Sequence, residues 1–188
     1  YDPVCFNASG SIGRAVDALG EKNCLAGGEP VIQALRSRET ILAELASLPV
    51  EFDRLVIRPY DRGTLMQPAT NGGWGVVEIL PHLRDWESIY YERAQAIVQE
   101  ENPRLMAQDD SLWAIERDYR SQNPAETLAE LSAMRERLIA LLSDLPADAW
   151  ERTGEHSAYG QITLRWLMNQ LCDHDREHLD QALNAVVS

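Results

Sequence analysis

Thr163-Leu164-Arg165-Trp166-Leu167-Met168-Asn169-Gln170-Leu171-Cys172-Asp173-His174-Asp175-Arg176-Glu177-His178-Leu179-Asp180-Gln181 belongs to the last helical block of the chain, which runs on to about Val187. Residues four apart project from the same side of a helix, one turn apart, so His174 and His178 make a two-pronged clamp suited to a metal ion. At about 100° per residue, Leu167, Leu171, His178, Gln181 and Ala185 fall within about 60° of His174, while Asp173 and Asp175 lie about 100° to either side. Both histidines therefore point toward a core. Cys172 stands about 160° from His174 and is a poor ligand candidate.

A third ligand has to come from another helix, and His82 is the residue placed to supply it. On its own helical face lie Ile79, Trp86 and Ile89, with Glu78 and Asp85 at the margin. A single inward histidine is ordinarily a core residue bonded to a carbonyl or a carboxylate. Three inward histidines, two of them at clamp spacing, point to a shared ion instead. Asp85 and Glu78 are placed either to orient the second ring nitrogen of His82 or to stand as solvated charge at the edge of the face. Arg93 lies about 20° from His82 but about 16 Å further along the helix, where it would meet an anionic substrate or snorkel to the bundle's far end.

Working outward, three further blocks precede the last one. The first spans about Pro30 to Leu48, with Ile32, Leu35, Leu42, Leu45 and Leu48 at helical spacing and Pro30 suited to a first turn. The second runs from about Trp74 to Glu100 behind an Asn71-Gly72-Gly73 break. The third opens on Asn123-Pro124-Ala125-Glu126, an N-cap followed by proline at the first helical position and an acid at the third. It continues through Leu128, Leu131, Leu138, Leu142 and Leu145. Strand-like alternation is nearly absent. The pattern predicts an all-α four-helix bundle over residues 30–188, with the second and fourth helices adjacent. Residues 101–122 form a long connection between the second and third helices, containing a short helix and covering one end of the site. Residues 1–29 carry scattered glycines and read as an N-terminal arm or a small added helix.

The chain has 188 residues, 17 basic against 30 acidic, for a net charge of −13. Such a balance repels phosphate backbones and anionic lipid surfaces, so neither nucleic acid nor a membrane is expected as a partner. No apolar run approaches the roughly 20 residues that span a bilayer. Cys5, Cys24 and Cys172 are odd in number and scattered, which suggests reduced thiols and a cytoplasmic protein.

Gly73-Trp74-Gly75-Val76-Val77-Glu78-Ile79-Leu80-Pro81-His82-Leu83, followed by Asp85-Trp86-Glu87, resembles the second helix of the DinB-like superfamily. Trp150-Glu151-Arg152, His156, Gly160, Thr163-Leu164 and His174 to Gln181 resemble its last loop and helix. The resemblance begins near Pro30 and implies a four-helix bundle whose divalent metal is held by His82, His174 and His178. It further implies transfer of a low-molecular-weight thiol such as bacillithiol, mycothiol or glutathione to an electrophile, or a thiol-dependent isomerisation. A homodimer is compatible with it. Pro81 departs from the pattern: inside a helix it removes a hydrogen bond and clashes with the carbonyl of Val77, which predicts a kink beside His82.

Independently of the resemblance, three neutral imidazoles leave an ion its full charge and an open coordination position, which lowers the pKa of a bound water or thiol. The leading expectation is a metal-dependent thiol S-transferase. The alternatives are a metal-dependent hydrolase or isomerase, or a non-catalytic metal-binding stress-response protein. Zinc, nickel and iron all suit such ligands. His174-x-x-Glu177-His178 also spells an inverted zinc-peptidase motif, whose third ligand is a glutamate tens of residues further on, beyond Ser188. Glu177, about 60° off the ligand face, is a lesser candidate for a base. No position three before a histidine carries the glutamate of a di-iron site, and no phosphate-binding glycine loop is present.

Overall fold

The structure is a computed structural model that describes residues 35–67, 69 and 73–187. The predicted arm at 1–29, Cys5, Cys24, Pro30, Ile32 and most of the glycine break lie outside the described residues. Four long helices dominate: α1 (Arg38–Phe52), α3 (Val76–Gln99), α5 (Pro124–Ser143) and α6 (Leu164–Val187). Shorter helices α2 (Arg62–Leu65) and α4 (Trp113–Glu116) stand in the connections.

Three of the four long helices begin near their predicted starts, but α1 begins at Arg38 and not in the first turn predicted at Pro30: residues 35–37 are non-helical. Ser37 caps α1 through its hydroxyl, which accepts the Thr40 N–H at 3.1 Å, and Asn123 accepts the Ala125 N–H at 3.1 Å with Pro124 at the first position of α5. Thr163 accepts the Trp166 N–H at 3.1 Å at the start of α6. Two prolines sit inside helices without ending them. Pro49 lies near the end of α1, past the predicted limit at Leu48, and the helix passes through a π turn at Asp53–Ile57. With no N–H, Pro49 leaves the Leu45 carbonyl without its helical donor, and the buried Arg135 guanidinium fills that role at 2.9 Å. The kink predicted at Pro81 does not interrupt α3, which continues from Val76 to Gln99.

In cross-section α1 packs on α5 and α6, and α3 also packs on α5 and α6. The first two long helices therefore stand on a diagonal, and the expected α3–α6 contact is made. The core has two apolar lobes. One gathers Ile41, Leu45, Trp86, Tyr90, Leu138 and Leu171. The other gathers Phe52, Ile79, Leu83, Leu131, Leu179 and Ala182. Along every long helix the lobes occupy successive stretches, so residues 82–87 of α3, 135 of α5 and 174–178 of α6 fall at the waist between them.

The sequence reading missed a small sheet. Strands β1 (Arg104–Leu105), β2 (Thr153–His156) and β3 (Gly160–Thr163) lie in the order β1-β2-β3, parallel then antiparallel. Runs of two to four residues are too short to display a period of two. Gly154 lets β2 lie close to β1 and to α3, since a Cβ there would lie 2.9 Å from Leu105 Cδ1 and 3.1 Å from Ile97 Cγ1, and Gly160 opens β3 at φ +72°.

Candidate metal centre

α3 is fixed at its start by Glu78, whose carboxylate reaches back to the Gly75 N–H at 3.1 Å. That places His82 one turn further along, facing α6. His174 and His178 face it one turn apart, with ring centroids 4.5 Å from each other and 5.2 and 4.7 Å from His82. All three side chains are buried, and one ring nitrogen from each lies within 4.8 Å of those of the other two.

The donor chemistry fits a cation. Burial pushes the pKa of each imidazole below its ordinary value; repulsion from His178 and His174 lowers His82 further, and repulsion from His178 and Arg135 lowers His174 further. All three are therefore neutral near pH 7 and present lone pairs. The Nδ1–H of His178 donates to Gln181 Oε1 at 2.8 Å, which sets its tautomer and leaves its buried Nε2 without a hydrogen-bond partner. His82 Nε2 and His174 Nε2 stand 3.2 Å apart. Two nitrogens bound at about 2.05 Å to one tetrahedral ion stand roughly 3.3 Å apart, so the separation matches a shared ligand set.

The surroundings are aromatic. Trp74 meets His82 edge-on at 4.9 Å, Trp86 lies 6.1 Å from His174, and Tyr90 lies 6.3 Å from it. Part of the long connection covers this region, as expected: Trp113 packs 5.7 Å from Trp86, and Tyr119 lies 6.4 Å from Trp74.

Several side-chain roles differ from the sequence reading. Asp85 does not orient His82; it accepts hydrogen bonds from Arg84, Arg117 and the Tyr119 hydroxyl. Glu78 is engaged by Gly75 and by Arg120 at 2.9 Å. The carboxylate placed beside His82 comes instead from the connection: Asp110 Oδ2 accepts the Trp86 indole N–H at 2.9 Å and lies 3.7 Å from His82 Nδ1. Arg93 does not snorkel: it is buried and donates to the Met106 carbonyl at 2.8 Å. Glu177 is exposed. Burial pushes the Cys172 thiol up to about 12, which removes it as a thiolate ligand.

Arg135 was missed altogether. Its five N–H bonds are all used: two to Glu87 at 2.9 and 2.8 Å, two to Asp175 at 2.8 and 3.2 Å, and one to the Leu45 carbonyl. Its signal was present, since Leu128, Leu131, Arg135, Leu138 and Leu142 form one stripe with a charge at its centre. Gln181 was placed on the inward face, but its bond to His178 was not foreseen.

A family model for the DinB superfamily matches residues 33–182, and the chain belongs to that superfamily. The chain is 33% identical over 110 residues to a candidate metal-dependent hydrolase of Oceanobacillus iheyensis. That alignment covers 58% of this chain and spans 63% of the relative's length. A similarly named protein of Bacillus cereus is 28% identical over 141 residues, covering 74% of this chain and 80% of its own. YfiT from Bacillus subtilis, described as a probable metal-dependent hydrolase with an unusual four-helix bundle topology, superposes with a TM-score of 0.72 at 22% identity, covering 84% of this chain and 91% of YfiT. That likeness concerns the fold. The histidine cluster, together with relatives called metal-dependent, supports a divalent ion. Among the described residues no helix is long and apolar enough to cross a membrane.

Proposed function

We infer that this chain is a metal-dependent enzyme that transfers a low-molecular-weight thiol to an electrophile, with His82, His174 and His178 holding zinc, nickel or iron. A dication bound there supplies Lewis acidity that makes a coordinated thiol or water more acidic. The chain's own contribution is to hold three neutral imidazoles in convergence, fix the His178 tautomer through Gln181, and line the site with Trp74, Trp86 and Tyr90, which exclude water.

One observation favours a thiol over water as the nucleophile. Four of the carboxylates described around the histidines are ion-paired, Glu87 and Asp175 to Arg135, Asp85 to Arg84 and Arg117, and Glu78 to Arg120, while Asp110 accepts the Trp86 N–H beside His82. Hydrolysis calls for a proton to be passed to the leaving group by a positioned acid. A thiol held by a cation would give up its proton to solvent, and its sulfur would then displace a stable anion such as halide, which needs no proton on leaving. The names of the relatives favour the second reading, hydrolysis.

The test is to load the protein with zinc, nickel or iron and supply glutathione, bacillithiol or mycothiol with an alkylating fluorophore, beside a panel of esters and amides. Conjugation that needs both metal and thiol, and disappears in His178→Ala, is expected. Metal-dependent ester or amide cleavage without thiol would overturn the transferase reading in favour of hydrolysis.

A further inference from the structure

The waist of the bundle holds more charge than its ligands need. Arg135, Glu87 and Asp175 are all buried, from α5, α3 and α6 respectively. One guanidinium bridges two carboxylates, each bonded to it through both oxygens. The cluster therefore carries one net negative charge inside the protein. Asp175 is the residue next to His174, and Glu87 lies on the same helix as His82.

A buried net charge is costly, and a neutral bundle could place apolar residues at these positions. The cost is offset where a charge of opposite sign is held nearby in the same low-dielectric interior. We propose that the Arg135–Glu87–Asp175 cluster is a charge-compensating unit for the ion at the histidine site: its surplus negative charge adds to that of Asp110 beside His82 and offsets the charge that three neutral imidazoles leave on the ion. The proposal rests on the metal-site reading above. The cluster has a second consequence for the site, because it ties the backbone of α1, at Leu45, and the side chains of α3 and α6 to one rigid fork. Compensation and clamping make different predictions.

Attraction to a fixed charge scales with the charge of the ion, whereas displacement of ligands weakens every ion of similar geometry alike. Glu87→Gln keeps the shape of the side chain and removes the surplus charge. Asp175→Asn removes the same charge from the other arm and is read where Glu87→Gln folds poorly. Arg135→Lys keeps the net charge and loses the fork. Affinities of the metal-free, folded proteins for Zn2+ and Cu+ are measured by competition with chromophoric chelators, with circular dichroism as the check on folding.

The expected result is a Zn2+ affinity lowered about tenfold or more in the charge-removing variant, and a Cu+ affinity lowered by about the square root of that factor. Arg135→Lys should stay within about threefold of wild type for both ions while melting lower. Equal losses for the two ions, unchanged Zn2+ affinity in a folded charge-removing variant, or a loss in Arg135→Lys as large as in Glu87→Gln, each overturns compensation. A wild-type protein that takes up neither ion overturns the metal site itself, which is a different outcome.

Discussion

Replacing Arg135 by methionine should be among the more damaging single changes in this protein, and its size can be worked from the contacts. The methionine roughly conserves the aliphatic stem but deletes all five donated hydrogen bonds. Two buried carboxylates are left facing each other, and breaking a buried ion pair from one side costs about 3–5 kcal/mol. The Leu45 carbonyl, already deprived of its helical donor by Pro49, loses its replacement, adding about 1–3 kcal/mol. Partial protonation of the carboxylates relieves some of this, so a net loss of about 4–6 kcal/mol is expected. For a chain of this size that is a drop in Tm of roughly 8–24 °C.

The assay is thermal and urea unfolding of the metal-free protein, repeated between pH 4.5 and 8. Burial already raises Asp175 to about 6 with the guanidinium in place. Without it Asp175 loses the cation that favours its charged form and rises further above its unfolded value. A group raised in this way contributes stability that is present below its unfolded pKa and lost as pH rises through its folded pKa. The deficit of the variant should therefore be smallest near pH 4.5 and widen toward neutrality. A loss below about 1 kcal/mol, typical of an exposed pair, or a deficit independent of pH, would refute this account of the cluster.

Three further outcomes are expected. His82→Ala should lower metal affinity by more than the roughly hundredfold that follows loss of a group behind a ligand, while its helical circular dichroism is kept; unchanged affinity would end the three-histidine reading. Metal-free wild type should lose stability as pH falls below the ordinary histidine value of 6.5, because burial lowers the folded pKa of His82, His174 and His178 and their contribution disappears as pH drops through those values. Asp175 acts in the opposite direction in this window, but three groups outweigh one, and equal urea midpoints at pH 7.5 and 5.5 would contradict this. With a net charge of −13, the protein should leave duplex DNA unshifted at moderate salt, and a tight complex with steep salt dependence would refute that expectation.

The helices and the histidine faces were legible because each depends on the periodicity of one segment. Leu167, Leu171, His174 and His178 share a face whatever α6 packs against, and Asn123-Pro124 starts a helix in any bundle. What stayed hidden depends on how segments meet. The partners of Arg135 follow from α1 standing diagonal to α3, which lets one side chain reach Leu45, Glu87 and Asp175 at once. No stripe in α5 encodes that order. Asp110 sits in a connection without a period, after a two-residue strand, so its approach to His82 carried no signal beyond the acid-rich turn in which Asp109 accepts the Ser111 N–H. Asp85 and Glu78 were read from their place on a helical wheel, but Arg84, Arg117, Tyr119 and Arg120 claim them from outside the helix face.

The same division explains how the fold tolerates three unprotonated histidines at its centre. Orphaned imidazole nitrogens cost free energy wherever they are buried. Here they lie at the waist, while Phe52, Ile79, Leu83, Leu131 and Leu179 on one side and Ile41, Leu45, Trp86, Leu138 and Leu171 on the other bury apolar surface independently of them. At about 25 cal/mol per Å² of apolar surface removed from water, the two lobes outweigh a few unsatisfied nitrogens. The bundle therefore stands without the ion, and the ligand positions are free to be set by chemistry instead of by stability. Substituting a lobe residue such as Leu131 by alanine should cost about 2–5 kcal/mol whether or not metal is present, whereas His178→Ala should change metal uptake with little change in the stability of the metal-free protein. If unfolding of wild type by urea proved to require metal removal, with no folded metal-free state, this separation of scaffold from site would be wrong.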